Sequence, residues 1–95
     1  MIVSFRDKRT REFANGRYVK ALSGVSRQAE MKLDQLEAAT AVRDLAVLPG
    51  NRLEALKGGR KGQYSIRIND QWRICFEWPS RSPSPVNVEI VYYHR

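Results

Sequence analysis

The sequence predicts an α+β domain in which short N-terminal helices pack on one face of a mainly antiparallel sheet. Two periodicities carry this prediction. Apolar residues recur every three to four positions before Pro49, as on the buried side of a helix, and every second position after Gly62, as on one face of a strand. Strands that follow one another in the chain pair as an antiparallel meander, and the preceding helices can cover its apolar face. The chain has 95 residues, enough for one domain, so we predict a single domain over residues 1–95.

The N-terminal half contains one predicted strand and three predicted helices. Residues 1–5 have the β-rich composition of a short strand. Asp7 can cap a helix that runs to residue 13, and Ser26 can cap a longer helix that runs to about residue 39. A third, short helix is predicted over residues 40–48, where a Pro-Gly pair ends it.

The C-terminal half contains three predicted strands, over residues 63–68, 72–78 and 86–93. In each of them every second side chain is strongly apolar, which indicates one buried face. A loop rich in proline and serine separates the second strand from the third. The large side chains that this alternation assigns to the core include Trp72, Trp78 and Tyr92.

The apolar sets of the first two strands determine how these strands pair. They share a face only if the turn has three residues, 69–71, with Ile66 opposite Ile74. A turn of this length needs a residue that tolerates positive φ, which Asn or Asp supplies. The same register places Arg67 opposite Arg73, and like charges in such a pair are destabilising.

Several interpretations of this arginine pair stay open. An anion bound between the two guanidinium groups would remove the repulsion; alternatively, both side chains extend into solvent, or Glu77 and Glu89 neutralise them. The alternation also places Tyr93 on the uncovered arginine face, with His94 beyond the end of the last strand. Guanidinium groups bind phosphate and rings stack on unpaired bases, so this face suits RNA, although a tyrosine on a sheet face is often plain packing.

The charge of the chain indicates an anionic partner. There are 17 Lys and Arg against 10 Asp and Glu, a net charge of +7. Two clusters, residues 1–20 and residues 52–73, each hold six cations and two acidic residues, a net +4. Single surface cations are ordinarily only solvated, whereas two clusters favour nucleic acid or an acidic protein. For the first cluster we expect RNA or an acidic protein surface.

Several classes of protein are excluded by composition. One cysteine, Cys75, cannot form an internal disulfide, and one cysteine with one histidine cannot build a zinc site. No apolar run approaches the length of a membrane span or of a secretory signal. We therefore expect a cytosolic domain that uses no metal and no cofactor and does not enter a membrane.

Three stretches of the chain resemble the HigB-type toxins of the RelE/ParE superfamily. They are residues 52–58 (RLEALKG), residues 62–76 (GQYSIRINDQWRICF) and residues 88–94 (VEIVYYH), and the last matches a closing strand that commonly ends in Tyr-His. The resemblance implies a RelE-like fold with a twisted sheet of about four to five strands. It also implies a bacterial, cytoplasmic toxin of a type II toxin–antitoxin pair.

The activity that the resemblance implies is cleavage of messenger RNA in the ribosomal decoding site, with no metal ion. A helix-turn-helix antitoxin of the HigA type would neutralise the toxin. The resemblance assigns catalytic roles to Lys57, Arg73, Tyr93 and His94. Many relatives have histidine where this chain has Glu54, and many have an acid where it has Tyr92.

Each of these side chains suits a step of RNA cleavage. Arg73 can stabilise a dianionic phosphorane, and Lys57 supplies a second cation, which Glu54 could orient by a hydrogen bond. Tyr93 can donate a proton or stack on a base, and a histidine such as His94 changes charge near neutral pH. The second basic cluster adds candidate RNA-binding residues: Arg52, Arg60, Lys61 and Arg67.

Two functions from other classes remain open. A ParE-like inhibitor of DNA gyrase would share the fold without any nuclease chemistry. A catalytically weak module that only binds RNA or the antitoxin is compatible with the loss of histidine at position 54.

Overall fold

The computed structural model describes residues 1–93. The helices are α1 (Lys8–Ala14), a 3₁₀ helix (Lys20–Val25), α2 (Ser26–Ala38), α3 (Val42–Ala46) and a second 3₁₀ helix (Gly58–Arg60). The strands are β1 (Glu54–Ala55), β2 (Gln63–Arg67), β3 (Trp72–Glu77) and β4 (Val86–Tyr92). Helices followed by a meander confirm the predicted α+β class. No helix among residues 1–93 is long and apolar enough to cross a lipid bilayer.

The sheet has the strand order β1-β2-β3-β4, and all its neighbouring strands are antiparallel. The predicted N-terminal strand is reduced to one parallel bridge between Phe5 and Val88. Backbone hydrogen bonds on both sides of this bridge, from Val3 to Pro85 and from Arg6 to Val88, attach residues 3–6 to the outer edge of β4. The N-terminal segment therefore protects an edge that would otherwise be open.

The predicted register of the β2–β3 hairpin is confirmed, because Ile66 pairs with Ile74 and Arg67 pairs with Arg73. The expected positive φ in its turn is wrong. Within residues 1–93 the non-glycine residues with positive φ are Arg52 and Asn87, and neither lies in the turn. The Asn69 side chain instead accepts hydrogen bonds from the N–H groups of residues 71 and 72, both at 2.8 Å. This Asx turn reverses the chain without a left-handed residue.

The helix positions agree with the prediction, whereas the two predicted caps do not form. Asp7 precedes α1 without a side-chain cap hydrogen bond. The Ser26 hydroxyl donates to the Ser23 carbonyl, because the 3₁₀ helix runs directly into α2 and Ser26 is already helical. Asp44 is the middle residue of α3 and accepts hydrogen bonds from the N–H and hydroxyl of Thr40, and these bonds lower the pKa of Asp44.

The core lies between the helices and the sheet face that carries the even-numbered strand residues. Its fully buried members are Leu22, Ala29, Leu36, Leu45, Ile66, Ile74, Phe76, Val88 and Ile90. Trp78 is buried and Trp72 packs half-buried against this core, as predicted. Tyr92 is 47% exposed, so its predicted core position is wrong. It is the last residue of β4, and its ring packs edge-on against Trp72 with centroids 5.2 Å apart.

The opposite face of the sheet was expected to be uncovered, and that expectation is wrong for its centre. Ser65 and Cys75 are buried there. Side chains of the segment that contains β1 and the second 3₁₀ helix reach across this face, where Glu54 contacts Arg73 and Arg60 contacts Glu89. A cavity remains at the end of this face that lies next to the β2–β3 turn.

Candidate active site

A cavity of about 340 Å³ opens at the turn end of the β2–β3 hairpin. β2 and β3 supply its floor, the chain before β1 supplies one wall, and the end of β4 supplies the other. Its lining residues are Arg52, Glu54, Arg67, Asn69, Asp70, Arg73 and Tyr93. Three guanidinium groups against two carboxylates leave a net positive charge, so the cavity suits an anion.

Arg73 forms the floor of the cavity, with only 8% of its side chain exposed. Its Nε donates to the Ser65 hydroxyl at 2.8 Å, and its Nη2 donates to the Arg52 carbonyl at 2.8 Å. The same Nη2 lies 3.2 Å from a carboxylate oxygen of Glu54, a residue of the neighbouring edge strand. Two neutral acceptors therefore orient the guanidinium group, and one carboxylate on the exposed side balances its charge.

Arg67 avoids repulsion from Arg73 because it has its own carboxylate. Its Nη2 pairs with Asp70, three residues further along in the turn. Of the interpretations given for the arginine pair, neutralisation by Glu77 and Glu89 is wrong, since those two bind cations at the other end of the sheet. Instead, each arginine forms an ion pair with its own carboxylate: Arg73 with one from β1, and Arg67 with one from the turn.

Tyr93 stands beside Arg73, as the strand alternation predicts. The centre of its ring lies 5.8 Å from Arg73 Cζ, within cation–π range. The backbone N–H of Tyr93 donates to the Gln71 carbonyl, which attaches the residue after β4 to the hairpin turn. The phenol therefore reaches the same cavity as the guanidinium groups.

A family model described as a RelE-like toxin of the type II toxin–antitoxin system HigB matches residues 3–94. The chain belongs to this HigB family. Toxin HigB-1 of Vibrio cholerae serotype O1 is 40% identical over 80 residues, which cover 82% of this chain and 84% of the relative. The chain is thus a toxin of a type II toxin–antitoxin system, and such a toxin has an antitoxin as its partner.

Two solved structures share the fold of this HigB-family toxin. The YoeB-YefM complex from Staphylococcus aureus aligns with a TM-score of 0.57 at 17% identity, covering 100% of this chain and 97% of that one. A YoeB/ParE toxin from Agrobacterium tumefaciens also gives 0.57 at 17% identity, with coverages of 99% and 98%. At this identity the likeness concerns the fold, and it confirms the expected RelE-like architecture.

The cavity of the toxin contains four of the eight side chains singled out from the sequence: Arg52, Arg67, Arg73 and Tyr93. Lys57 is exposed at the start of the second 3₁₀ helix and does not line the cavity. Lys61 is exposed after that helix, and Arg60 hydrogen-bonds Gln63 at 3.0 Å and Glu89 at 3.3 Å. His94 lies outside the described residues.

The N-terminal basic cluster of the toxin is partly used within the molecule. Arg6 pairs with Glu77 at 2.7 Å, and Lys8 pairs with Glu12 at 3.7 Å. Arg9 donates to the Ile90 carbonyl at 3.0 Å and lies over the Trp72 ring. Only part of this cluster is therefore available to a partner without loss of an internal contact.

Two cavity carboxylates were missed in the sequence. Glu54 contacts Arg73 rather than Lys57, and this follows from the pairing of Glu54 with Ser65 in a two-residue strand that has no alternation to reveal it. Asp70 had a usable signal, because an acid three residues after Arg67 within a tight turn is within ion-pair reach. Cys75 lies on the same face, but burial raises the pKa of its thiol and makes it a poor nucleophile.

Proposed function

We propose that this HigB-family toxin is a metal-independent endoribonuclease that cleaves messenger RNA on the ribosome. The observation that carries the proposal is the cavity itself, where three guanidinium groups, a phenol and two carboxylates surround a space of about 340 Å³, large enough to admit a phosphate group. RNA brings its own nucleophile, the 2′-hydroxyl, so the protein has to position it, stabilise charge and transfer protons.

The reaction forms one bond and breaks one. The 2′-oxygen attacks the adjacent phosphorus while its proton leaves, and the bond from phosphorus to the 5′-oxygen breaks as that oxygen is protonated. The products are a 2′,3′-cyclic phosphate and a 5′-hydroxyl end. Arg73 stabilises the extra negative charge of the phosphorane, because its guanidinium is oriented in advance by Ser65 and the Arg52 carbonyl.

We assign each proton transfer to a side chain according to its position relative to Arg73. Glu54 is the carboxylate beside Arg73, and a phosphate that takes its place on the guanidinium releases it to accept the 2′-hydroxyl proton. Tyr93, on the other side of Arg73, donates a proton to the 5′-oxygen or stacks on the neighbouring base. We propose that His94, which follows it in the chain, assists this proton transfer.

The remaining cations are proposed to hold the message. Arg52 and Arg67 line the cavity and would bind the phosphates on either side of the cleaved one. Lys57 and Lys61 lie exposed outside the cavity and extend the positive surface along which RNA would run. Arg60 can join them only by leaving Glu89.

The proposed partners are those of a translation inhibitor. The ribosome presents the message, and a helix-turn-helix antitoxin of the HigA type silences the toxin in the bacterial cytoplasm. Family membership supports an antitoxin partner, and the positive surface supports binding to ribosomal RNA or to an acidic antitoxin face.

The test is incubation of the purified toxin with translating ribosomes, followed by mapping of message ends and of their chemistry. We expect cuts that depend on translation and leave 5′-hydroxyl and cyclic-phosphate ends. Cuts with 5′-phosphate ends would contradict 2′-hydroxyl attack. Inhibition of gyrase supercoiling without cuts would favour the ParE-like alternative, and neither effect would favour a module that only binds.

A further inference from the structure

Asn51 is a fully buried polar residue directly before the wall of the cavity. Its Oδ1 accepts a hydrogen bond from Lys32 Nζ at 2.6 Å. Its Nδ2 donates to Gln35 Oε1 and to the Leu45 carbonyl, both at 3.0 Å. Its backbone carbonyl accepts the N–H of Arg67 at 2.6 Å. One residue thus connects α2 and α3, through its side chain, to the strand that carries a cavity arginine, through its backbone carbonyl.

The residue after Asn51 has an unusual backbone conformation. Arg52 has φ 45°, the left-handed region that a residue with a β-carbon adopts only when its surroundings impose it. This conformation aims the Arg52 carbonyl at Arg73 Nη2, 2.8 Å away, while the Arg52 side chain lines the cavity. Asn51, anchored by its buried contacts, directly precedes this residue.

Lys32 is an unusual anchor for Asn51, because its cationic side chain is buried and donates its hydrogen bond to a neutral amide. No carboxylate among residues 1–93 lies within ion-pair distance of its Nζ. Burial, and then the nearby Arg67 guanidinium, lower the pKa of Lys32. An apolar side chain would fill this space without the cost of burying an ammonium group. Packing alone therefore does not account for a lysine here.

We propose that Lys32 and Asn51 are positioning residues for the cavity. Lys32 fixes the Asn51 amide, Asn51 fixes the left-handed Arg52, and the Arg52 carbonyl sets the direction of the Arg73 guanidinium. The inference rests on the proposed function for its effect on RNA cleavage. Its structural part, that the Lys32 hydrogen bond sets the Arg73 environment, stands without that function.

The experiment compares two substitutions of Lys32 with a matched control. Lys32→Met keeps the apolar stem and removes the donor, whereas Lys32→Gln removes the charge and keeps a donor. Arg27→Met removes an exposed cation from the same helix. Single-turnover cleavage on translating ribosomes is measured over a range of ribosome concentrations, alongside the melting temperature. The Nε–H NMR signal of Arg73 is recorded with and without inorganic phosphate.

We expect Lys32→Met to lower the saturating cleavage rate by about tenfold to a hundredfold with little change in half-saturation, because misorientation costs rate rather than binding. Its Arg73 signal should move, and its response to phosphate should weaken. Lys32→Gln should restore most of the rate and the wild-type signal, and Arg27→Met should match the wild type. Gln35→Leu removes one of the two acceptors for Asn51 Nδ2 and should show a smaller change in the same direction. If Lys32→Met does not fold, Gln35→Leu takes its place in the comparison.

A wild-type rate or an unmoved Arg73 signal in Lys32→Met would overturn the proposal. So would a Lys32→Gln variant as impaired as Lys32→Met, since the charge and not the hydrogen bond would then matter. If the wild-type protein itself cuts no message, the proposed function fails. The Arg73 signals and the phosphate titration then still decide whether Lys32 and Asn51 position the cavity.

Discussion

The two ends of one sheet face use the same residue types in opposite ways. At the cavity end, Arg73 and Arg67 each have a carboxylate of their own, and those carboxylates belong to side chains that are 51% and 92% exposed. Each pair can open toward solvent without disturbing the other. The acceptors that hold Arg73 from below, the Ser65 hydroxyl and the Arg52 carbonyl, stay in place when its carboxylate leaves.

At the other end, the carboxylates are shared and less exposed. Arg6 and Arg60 both contact Glu89, which is 22% exposed, and Arg6 also contacts Glu77, which is 34% exposed. Asn87 donates a further hydrogen bond to Glu77 at 3.1 Å. A ligand that removed one of these two arginines would break two contacts at once.

The difference teaches that the carboxylates decide which arginines can serve a ligand. A buried guanidinium with an exposed, unshared acid is ready for exchange with a phosphate group. A half-exposed guanidinium within a shared network has a structural role, whatever its accessibility suggests. We therefore expect substitutions at the cavity end to affect RNA chemistry and substitutions at the other end to affect stability.

The largest expected effect is that of Arg73→Ala. It removes the cation that we propose stabilises the phosphorane, so cleavage on ribosomes should fall by about 10² to 10³-fold. Arg73→Lys should also be strongly impaired, because an ammonium group cannot bind phosphate through two parallel hydrogen bonds. Affinity for the antitoxin, measured by calorimetry, should stay nearly unchanged. Arg6→Ala at the other end is the matched control and should cleave normally.

Tyr93→Phe should have the next largest effect. It keeps the ring beside Arg73 and removes only the hydroxyl, so it separates proton donation from stacking. If the phenol protonates the 5′-oxygen, the single-turnover rate falls by about 10², with ribosome affinity retained. An unchanged rate would assign the ring to base stacking and leave the proton to another group. Full activity of the variant with both Arg73→Ala and Tyr93→Phe would remove this cavity from the mechanism altogether.

The arrangement of side chains on the β2–β3 hairpin could be predicted from the sequence. The alternation in residues 64–76 determines which side chains share a face, and the parity of the turn then places Arg67 opposite Arg73. Tyr93 joins them by the same alternation along β4. Long, strongly periodic strands carry this information locally, so the core face and the arginine face were both predictable.

The carboxylates were harder to predict, because they depend on features that carry no periodic signal. Glu54 reaches Arg73 from a two-residue strand that follows the left-handed Arg52. In our proposal, that conformation depends on a buried contact to α2 that lies 19 residues away in the sequence. Lys57 was placed with the catalytic residues by family resemblance alone, and it does not line the cavity. The spacing of residues in the sequence carries no signal of such tertiary contacts.

Asp70→Asn tests whether the exposed cavity acids compete with RNA. The change leaves the Asx turn at Asn69 intact and frees the Arg67 guanidinium. RNA should then bind about two- to fivefold more tightly at low salt, as expected for the loss of one exposed competing ion pair. The plot of log affinity against log salt should steepen by about one unit. Glu77→Gln should change neither quantity, and weaker RNA binding by Asp70→Asn would show that the acid supports the site rather than competes for it.

The smallest expected effect is that of Glu89→Gln on stability. It removes the negative charge that Arg6 and Arg60 share, so the free energy of unfolding should fall by about 0.5 to 1 kcal/mol, as urea denaturation would measure. The loss should shrink in about 1 M salt, where such pairs are screened. Cleavage should be unchanged, because none of these residues lines the cavity. If Glu89→Gln instead tightened RNA binding while Glu77→Gln did not, then the released Arg60 would be a ligand for RNA. The second 3₁₀ helix would then belong to the RNA-binding end of the sheet face and not to the structural end.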